Sequence, residues 1–209
     1  MQKPFKLYGR PGSGSLAVQV ALEEMGVPYE RVWVGSETAD VERFRKVNPT
    51  GKVPALELPD GTVMFESAAM LIHLSLQDSG SKLAPQPGTS RHASFLQWMS
   101  FMSANVYDAA LRFFYSSRYS SRGETDAAAI RDRAAGDFEA HLALLGRVLD
   151  PYVLGADYSL ADPYLYMLAS WFPEKEGLFV RVPALKAHAA KIASRPAVAK
   201  VESDHAKHG

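Results

Sequence analysis

Two serines set among glycines, Ser13 and Ser15, could do chemistry near the start of the chain. They lie in the segment GRPGSGS, residues 9–15, which follows a short apolar run and leads into a helical pattern. The glycines on either side of Ser13 let the backbone approach a ligand closely. The dipole of the following helix favours negative charge at this point. The segment lacks the Lys-Ser/Thr pair of a phosphate-binding loop. Besides Arg10, its donors are hydroxyl and backbone N–H groups.

Glu66 and Ser67 form a second polar pair, directly before the apolar stretch AAMLIHLSLQ. Serine is a good N-cap, and the first turn of a helix presents unpaired N–H groups with a partial positive charge. A carboxylate is therefore a suitable ligand at this position. A capping serine beside an ordinary surface acid explains the same pair without any ligand.

Pro54 stands near the start of a predicted strand, residues 53–58, which ends at the turn Pro59-Asp60-Gly61. Proline has no N–H, so in sheets it is confined to edges and to first residues. Taken alone, this pattern is explained by an ordinary edge-strand proline as well as by a binding role.

The composition is that of an ordinary globular protein and excludes several kinds of site. Of 209 residues, 47% are hydrophobic, and the 23 basic residues balance 23 acidic ones. We therefore expect no general electrostatic attraction to nucleic acid or to an anionic membrane. The absence of cysteine excludes disulfides, thiolate metal sites and a protein thiol nucleophile. With no signal-peptide run and no window resembling a membrane span, the sequence predicts a full-length cytoplasmic protein.

Hydrophobic periodicity predicts two domains. The first, residues 1–79, has the order strand, helix, strand, helix, then a hairpin and a helix, which is typical of an α+β fold with a mixed sheet. Gly, Ser and Pro in residues 79–88 indicate a linker. The second domain, residues 88–209, is predicted to be all-α, with helices over residues 90–118, 125–149, 160–172, 183–193 and 195–203.

Two further polar features of the helical domain are interpreted as structural. Ser159 to Asp162 form a capping-box pattern, and losing such a cap typically costs on the order of 1 kcal/mol. His205 and His208 are spaced for one face of a helix and could hold a metal. The sequence instead predicts a frayed, solvated end here and no metal site.

The order of the elements and the motifs on them resemble the cytosolic glutathione transferases. The resemblance rests on the VP pair at the third strand, on ESAAML opening the next helix and on SLADPYLY within an all-helical second domain. It covers essentially the whole chain. The start, KLYGRPGSGSLAVQVAL, is similar to the bacterial beta class, which usually carries a cysteine in this loop; Gly14 stands at the best-matching position. The resemblance implies a thioredoxin-like first domain.

The resemblance also implies a glutathione site on the first domain. In such proteins the peptide bond before the strand proline is cis, and the backbone of Val53 pairs with glutathione as with an added strand. Ser67 then binds the γ-glutamyl carboxylate through its N–H and hydroxyl, and Glu66 meets the α-ammonium group. The other contacts implied are Pro54, and Lys52 or Arg10 at the glycine carboxylate, although a merely solvated lysine explains Lys52 nearly as well.

Activation of the thiol is assigned to the loop before the first helix. A free thiol has a pKa near ~8.5, and a donor that binds the thiolate better than the thiol lowers that pKa. We assign this role to Ser13, with Ser15 as the second candidate and the Gly14 N–H as a helper. Ser15 is also a natural N-cap for its helix, and Tyr8 is interpreted as a packing residue.

The resemblance places the electrophile pocket in the helical domain. Tyr107 falls where the beta class has a polar pocket residue, Trp171 follows the SLADPY motif at the family's spacing, and Phe114 lies two turns beyond Tyr107. Large aromatic side chains suit a pocket for small apolar electrophiles. Aromatic residues at helical spacing more often form a core, and that interpretation stays open.

The function implied is that of a glutathione transferase, with glutathione as co-substrate and no metal. The reaction is a conjugation, a displacement or a peroxide reduction, of the kind used in detoxification. The resemblance further implies a homodimer. The alternatives are a non-catalytic protein of the same fold that binds ligands or proteins, and a glutathione-dependent isomerase.

Overall fold

The computed structural model describes residues 3–77 and 83–208. They form two compact units, one of Met1–Ala84 together with Ala193–Gly209 and the other of Pro85–Ile192. Residues 79–82 of the predicted linker lie outside the described part of the chain. The predicted division assigns everything after residue 88 to the second domain, whereas here the last helix belongs to the first unit.

A four-stranded mixed sheet forms the centre of the first unit. Its strand order is β2-β1-β3-β4, with β1 and β2 parallel and the other two pairings antiparallel. The α+β fold class predicted from the sequence, βαβα followed by ββα, is confirmed. The elements are β1 Phe5–Gly9, α1 Ser15–Met25, β2 Tyr29–Trp33, α2 Thr38–Phe44, β3 Ala55–Glu57, β4 Val63–Phe65 and α3 Ser67–Gln77.

The strand register brings three loops to one end of this sheet. Gly9, the last residue of β1, pairs with the last residue of β2. Ala55, the first residue of β3, pairs with Tyr8 on one side and with Phe65, the last residue of β4, on the other. The segments that follow β1, precede β3 and follow β4 therefore start from neighbouring points. These are the segments that hold the predicted glutathione contacts.

The core of the first unit lies between the sheet and its helices. Leu7 and Leu56, at the centres of β1 and β3, are fully buried. Helix α1 is nearly continuous in apolar residues and packs against α3, which explains why both helices are much more hydrophobic than an ordinary surface helix.

The last helix, α10, completes the first unit by packing against α1. It spans Pro196–Ala206, and Arg195 at its start donates two hydrogen bonds to Glu24, at 2.6 and 2.8 Å. His205 is only 6% exposed, and its Nε2 lies 3.1 Å from Oε1 of Gln19. The prediction of a frayed, solvated end is therefore wrong at His205, because an aliphatic and polar surface of α1 receives this helix.

The regular elements of the second unit are all helices, as predicted, and two isolated β-bridges lie within residues 152–157. A buried carboxylate, Asp162, accepts hydrogen bonds from the N–H groups of Val153 and Ser159 and lies 3.0 Å from Nε2 of His188. The capping box is thus part of a larger buried network.

The helices of the second unit are α4 Ser90–Phe101, a π-helical segment Met102–Tyr107, α5 Asp108–Phe114, α6 Ala127–Gly146, α7 Ala161–Ser170, α8 Lys175–Arg181 and α9 Pro183–Ala193, with 3₁₀ turns at Ser116–Tyr119 and Gly123–Thr125.

Candidate functional site

Two helices begin at the end of the sheet where the three loops meet. Helix α1 begins at Ser15 and α3 begins at Ser67, and neither has an acidic residue in its first turn. The partial positive charge of both N-termini is therefore not neutralised from within the helix. This end of the sheet is suited to an anionic ligand that reaches both helices.

The hydroxyls of Ser13 and Ser15 share one acceptor, the carbonyl oxygen of Arg10. The hydroxyl oxygen of Ser13 lies 2.7 Å from this carbonyl oxygen and that of Ser15 lies 3.1 Å from it, and the two hydroxyl oxygens lie 2.9 Å apart. The N–H of Ser15 also lies 3.3 Å from the hydroxyl oxygen of Ser13. Ser15 is 1% exposed, whereas Ser13 is half-buried, so only Ser13 is open to a ligand.

The cap of α1 differs from the one expected. The N-cap residue is Gly14, which has no side chain to cap with, and Ser15 is the first helical residue. The predicted N-cap role of Ser15 is therefore wrong. The hydroxyl of Ser13 accepts from the N–H of Ser15 instead, so Ser13 supplies part of what an N-cap side chain provides.

Gly9 is needed where β1 meets the start of α1. A Cβ atom built on Gly9 would lie 2.4 Å from Cβ and 2.5 Å from Oγ of Ser15, far inside van der Waals contact. The absence of a side chain lets the strand end lie directly against the buried serine. Sequence reasoning assigned no role to this glycine; its position at the end of a strand and before a serine-rich turn was the available signal.

The guanidinium group of Arg10 binds backbone carbonyls at the end of β2. Its Nε donates to the carbonyl of Val34 at 3.3 Å, and its Nη2 donates to that of Gly35 at 2.7 Å. The sequence offered Arg10 as a partner for a carboxylate of glutathione. In this structure its donors join the loop after β1 to the loop after β2.

Lys52, Val53 and Pro54 form the second loop, and the Val53–Pro54 bond is cis, as the resemblance implies. In the described part of the chain, the N–H and C=O of Val53 have no hydrogen-bond partner. Lys52 is exposed and makes no ion pair with another described residue. The backbone of Val53 and the ammonium of Lys52 are both open to a ligand.

A buried asparagine that the sequence reasoning missed holds this loop in place. Asn48 is 1% exposed; its side-chain oxygen accepts from the N–H of Thr50 at 3.1 Å, and its Nδ2 donates to the carbonyl of Lys52 at 2.6 Å. Asparagine before proline in the run NPTGK is a typical turn signal, and it could have identified the residue.

Glu66 and Ser67 form the third segment. Glu66 has φ of 73°, in the left-handed region, and it is the one residue other than glycine with a positive φ among residues 3–77 and 83–208. A long side chain in this region is uncommon, and such outliers concentrate at ligand sites. The carbonyl of Glu66 accepts from the N–H of Met70, so Glu66 is the N-cap of α3. Ser67 is the first helical residue and is 6% exposed, so the N-cap position expected for Ser67 is wrong.

Tyr8 occupies a packing position. Its hydroxyl donates to Glu57 at 3.2 Å, and its ring lies 5.7 Å from that of Phe44. Burial, and then the negative charge of Glu57, raise the pKa of the Tyr8 hydroxyl. The single hydroxyl proton of Tyr8 is already donated to Glu57, and the raised pKa makes this hydroxyl a weaker acid, so Tyr8 is poorly suited to donate to a thiolate.

In the second unit, the structure brings together two of the three aromatic residues singled out from the sequence. The rings of Tyr107 and Trp171 meet edge to face with centroids 5.1 Å apart. Tyr107 is the last residue of the π-helical segment, and such segments often occur at functional sites. Phe114 ends α5, is 48% exposed and packs against Phe113 rather than against this pair.

Two other features, a metal-binding cluster and a membrane-spanning helix, are absent from residues 3–77 and 83–208. No group of three or more His, Cys, Asp or Glu side chains there could hold a metal ion. None of the helices described is long and apolar enough to cross a membrane.

Comparison with known proteins gives consistent matches along the chain. Residues 15–77 match the family model described as the glutathione S-transferase, N-terminal domain. The glutathione S-transferase-like protein OpS6 of Beauveria bassiana is 31% identical over 217 residues, which cover 98% of this chain and 97% of the relative.

Solved structures match both units. A glutathione transferase homologue from Sulfitobacter, crystallised with bound glutathione, has a TM-score of 0.88 at 28% identity and covers 98% of this chain and 99% of its own. The beta-class glutathione S-transferase of Sphingomonas chungbukensis has a TM-score of 0.80 at 30% identity, with 96% of this chain and 98% of its own covered.

Proposed function

The chain belongs to the glutathione S-transferase family of enzymes, and on that premise we propose that it binds glutathione, holds the thiol as thiolate and directs it at a small apolar electrophile. The observation that carries the proposal is the meeting of three loops and two helix N-termini, neither with an acidic residue in its first turn, at one end of the sheet. Glutathione has a carboxylate at each end and a thiol between them, so it suits a site with this distribution of positive potential.

Glutathione is assigned to the first unit as an extended peptide. Its cysteine backbone pairs with the N–H and C=O of Val53, in the manner of an added strand. Its γ-glutamyl carboxylate binds at Ser67, where α3 begins, and its α-ammonium group meets Glu66. Lys52 is assigned to the glycine carboxylate.

The thiol is assigned to the start of α1. The hydroxyl of Ser13 is the proposed donor to the thiolate, with the N–H of Gly14 beside it. A hydrogen bond to the charged form favours that form, and the dipole of α1 acts in the same direction, so both lower the pKa of the thiol. The chain has no cysteine, so it has no protein thiol that could form a mixed disulfide with glutathione.

Tyr107 and Trp171 are the proposed contacts of the electrophile, with Phe114 as a further candidate. An edge-to-face aromatic pair offers an apolar surface with one polar hydroxyl. Holding electrophile and thiolate in one complex makes their encounter unimolecular, which is a large entropic gain. A homodimer and a cytoplasmic location, where thiols are kept reduced, complete the proposal.

A titration of bound glutathione tests the proposal. Thiolate absorbance is followed against pH for the wild type and for Ser13→Ala, and glutathione affinity is measured by calorimetry. We expect the bound thiol to ionise below the free value near ~8.5, and Ser13→Ala to reverse most of that change. A bound thiol with the free value would contradict the proposal.

A non-catalytic role is the second candidate, and one observation favours it: Gly14 stands where the beta class carries its cysteine. The same calorimetry distinguishes the two candidates, because a scaffold has no need of the ligand site. No measurable glutathione binding would support the scaffold.

A further inference from the structure

The hydroxyls of Ser13 and Ser15 and the carbonyl of Arg10 lie within hydrogen-bond distance of one another. Each hydroxyl has one proton, and the oxygen–oxygen separation of 2.9 Å requires a proton between the two serines for a favourable contact. In the absence of ligand, one serine therefore donates to the carbonyl of Arg10 and the other donates to the first serine. Both protons are then used within the loop.

To donate to a thiolate, one of the two hydroxyls must turn its O–H away from the other serine and from the carbonyl of Arg10. Ser15 cannot do so, because Ser15 is 1% exposed and its oxygen lies against Gly9 and Arg10. Ser13 is half-buried and can turn its hydroxyl outward while its oxygen still accepts from the N–H of Ser15. When it does so, the carbonyl of Arg10 keeps a partner only if Ser15 donates to it.

From this arrangement, and resting on the proposed function above, we propose that Ser15 and Arg10 are positioning residues for thiol activation. Ser15 satisfies the carbonyl of Arg10 and so releases the proton of Ser13 for the thiolate. Without Ser15, the proton of Ser13 is held by the Arg10 carbonyl, because turning it outward leaves that carbonyl without a partner.

The side chain of Arg10 fixes the shared carbonyl in space. Its two hydrogen bonds to the carbonyls of Val34 and Gly35 tie the residue to the end of the neighbouring strand. Gly12, two residues later, has φ of 69° and has no side chain that could attach the loop to the sheet. The guanidinium group therefore provides the side-chain anchor between the loop and the sheet, and it acts on the thiol only through the backbone of Arg10.

The test compares the pKa of the bound glutathione thiol in the wild type, Ser15→Ala, Arg10→Met and Arg10→Lys. We expect the pKa to rise by about 0.5 to 1 unit in Ser15→Ala and Arg10→Met, a roughly three- to tenfold smaller ratio of thiolate to thiol at a given pH. Arg10→Lys should recover part of the change, because an ammonium group donates to one carbonyl at a time and lacks the fixed fork of arginine.

Matched controls come from the second unit. Arg91 also donates to a backbone carbonyl, that of Leu154 at 2.9 Å, and Ser94 donates to the carbonyl of Ser90 at 3.2 Å. Arg91→Met and Ser94→Ala should leave the pKa of the bound thiol unchanged. Thermal unfolding of every variant establishes that it is folded.

Affinity for S-methylglutathione separates positioning of the proton from general support of the site, since this probe has no ionisable thiol. Changes of less than about threefold, together with the raised thiol pKa, support the proposal. A fall in probe affinity of more than about tenfold would overturn it, since the residues would then hold the whole site. An unchanged thiol pKa in Ser15→Ala and Arg10→Met, with the wild-type value still lowered, would also overturn it and leave the proposed function intact. A wild-type thiol with the free value would overturn both.

Discussion

Gly9 has no side chain, yet it is needed for the packing of Ser15 in the candidate site. Ser15 is buried against the end of β1, and the contact is possible only because Gly9 has no Cβ. Gly9 has no positive φ, so its backbone suits any residue. The requirement for glycine here is therefore one of space alone, and it concerns the residue that shares an acceptor with Ser13.

Gly9→Ala is predicted to disturb both stability and the thiol site. The new methyl group must displace Ser15 or the strand end, and overpacking of this kind costs about 1–3 kcal/mol. We expect the free energy of unfolding in urea to fall by that amount and the pKa of bound glutathione to rise.

Gly136→Ala is the matched control for this substitution. Gly136 lies within α6 with no heavy atom within 4 Å of its added Cβ. Alanine in the middle of a helix is favoured over glycine by roughly 0.5–1 kcal/mol. This variant should therefore be slightly more stable than the wild type, and a loss of stability in it, or none in Gly9→Ala, would contradict the steric argument.

Among the elements, α10 makes a set of linked polar contacts with α1. Nε2 of Gln19 donates to the hydroxyl of Tyr29 and to Asp204, so its oxygen is the acceptor for Nε2 of His205. Nε2 of His205 therefore carries a proton. Burial first, and then the charge of Arg31, lower the pKa of His205 to about 4.

This lowered pKa predicts an acid-sensitive attachment of α10. The unfolded chain protonates His205 as the pH falls below 6.5, whereas the folded chain resists until about 4. The unfolded state thus binds more protons across this window. The contribution of neutral His205 to the free energy of unfolding is therefore complete above pH 6.5 and is progressively lost as the pH falls to 4, by at most about 3 kcal/mol.

Urea unfolding at pH 7.5, 5.5 and 4 measures this effect in the wild type, His205→Gln and His208→Gln. His205→Gln should lose less stability than the wild type between the first and the last pH. His208 lies just beyond the end of α10 and is exposed, so His208→Gln should keep most of the wild-type dependence. Equal pH dependence in all three proteins would contradict the assignment of His205.

The elements also show how far the sequence could predict the fold. The helix predicted over residues 183–193 matches α9, and the hairpin and the order of the strands are as predicted, because each depends on local periodicity and turn residues. Helix α8, Lys175–Arg181, was missed because seven residues with three charges show no clear period. The π-helical segment Met102–Tyr107 could not be predicted, since a wider turn depends on packing rather than on composition.

In the candidate site, too, features with local causes could be predicted, whereas features that depend on packing could not. Glycines, serines and proline indicated the three loops, because those residue types have local conformational causes. The shared carbonyl of Arg10, the burial of Ser15 and the role of Asn48 depend on how strands bring distant segments together. Likewise, His205 was misjudged because its burial is created by α1, which lies 186 residues away along the chain.

At the scale of the whole molecule, the first unit leaves apolar side chains exposed on its outer strand and on α3. Val63 and Phe65 of β4 are 37% and 41% exposed, and Leu76 of α3 is 53% exposed. β4 is also an edge strand, and edges with apolar side chains favour association with another chain. This surface supports the homodimer that the resemblance implies.

Phe65→Asp is predicted to weaken the dimer. A carboxylate buried in an apolar interface without a partner is strongly unfavourable. We expect sedimentation at micromolar concentration to show a dimer for the wild type and a shift toward monomer for Phe65→Asp. Val180→Asp, at a position 78% exposed on α8, is the control and should sediment as the wild type does. A monomeric wild type would refute the dimer.

The return of the chain from the second unit to the first has a consequence for synthesis. Glu24 and its partner Arg195 are 171 residues apart, whereas the second unit is one continuous stretch, Pro85–Ile192. A ribosome exposes residues in order, and domains fold as units when their residues are available. The nascent chain can therefore complete its later unit while the earlier one still lacks its final helix, and the half that bears the proposed glutathione site is the last to mature.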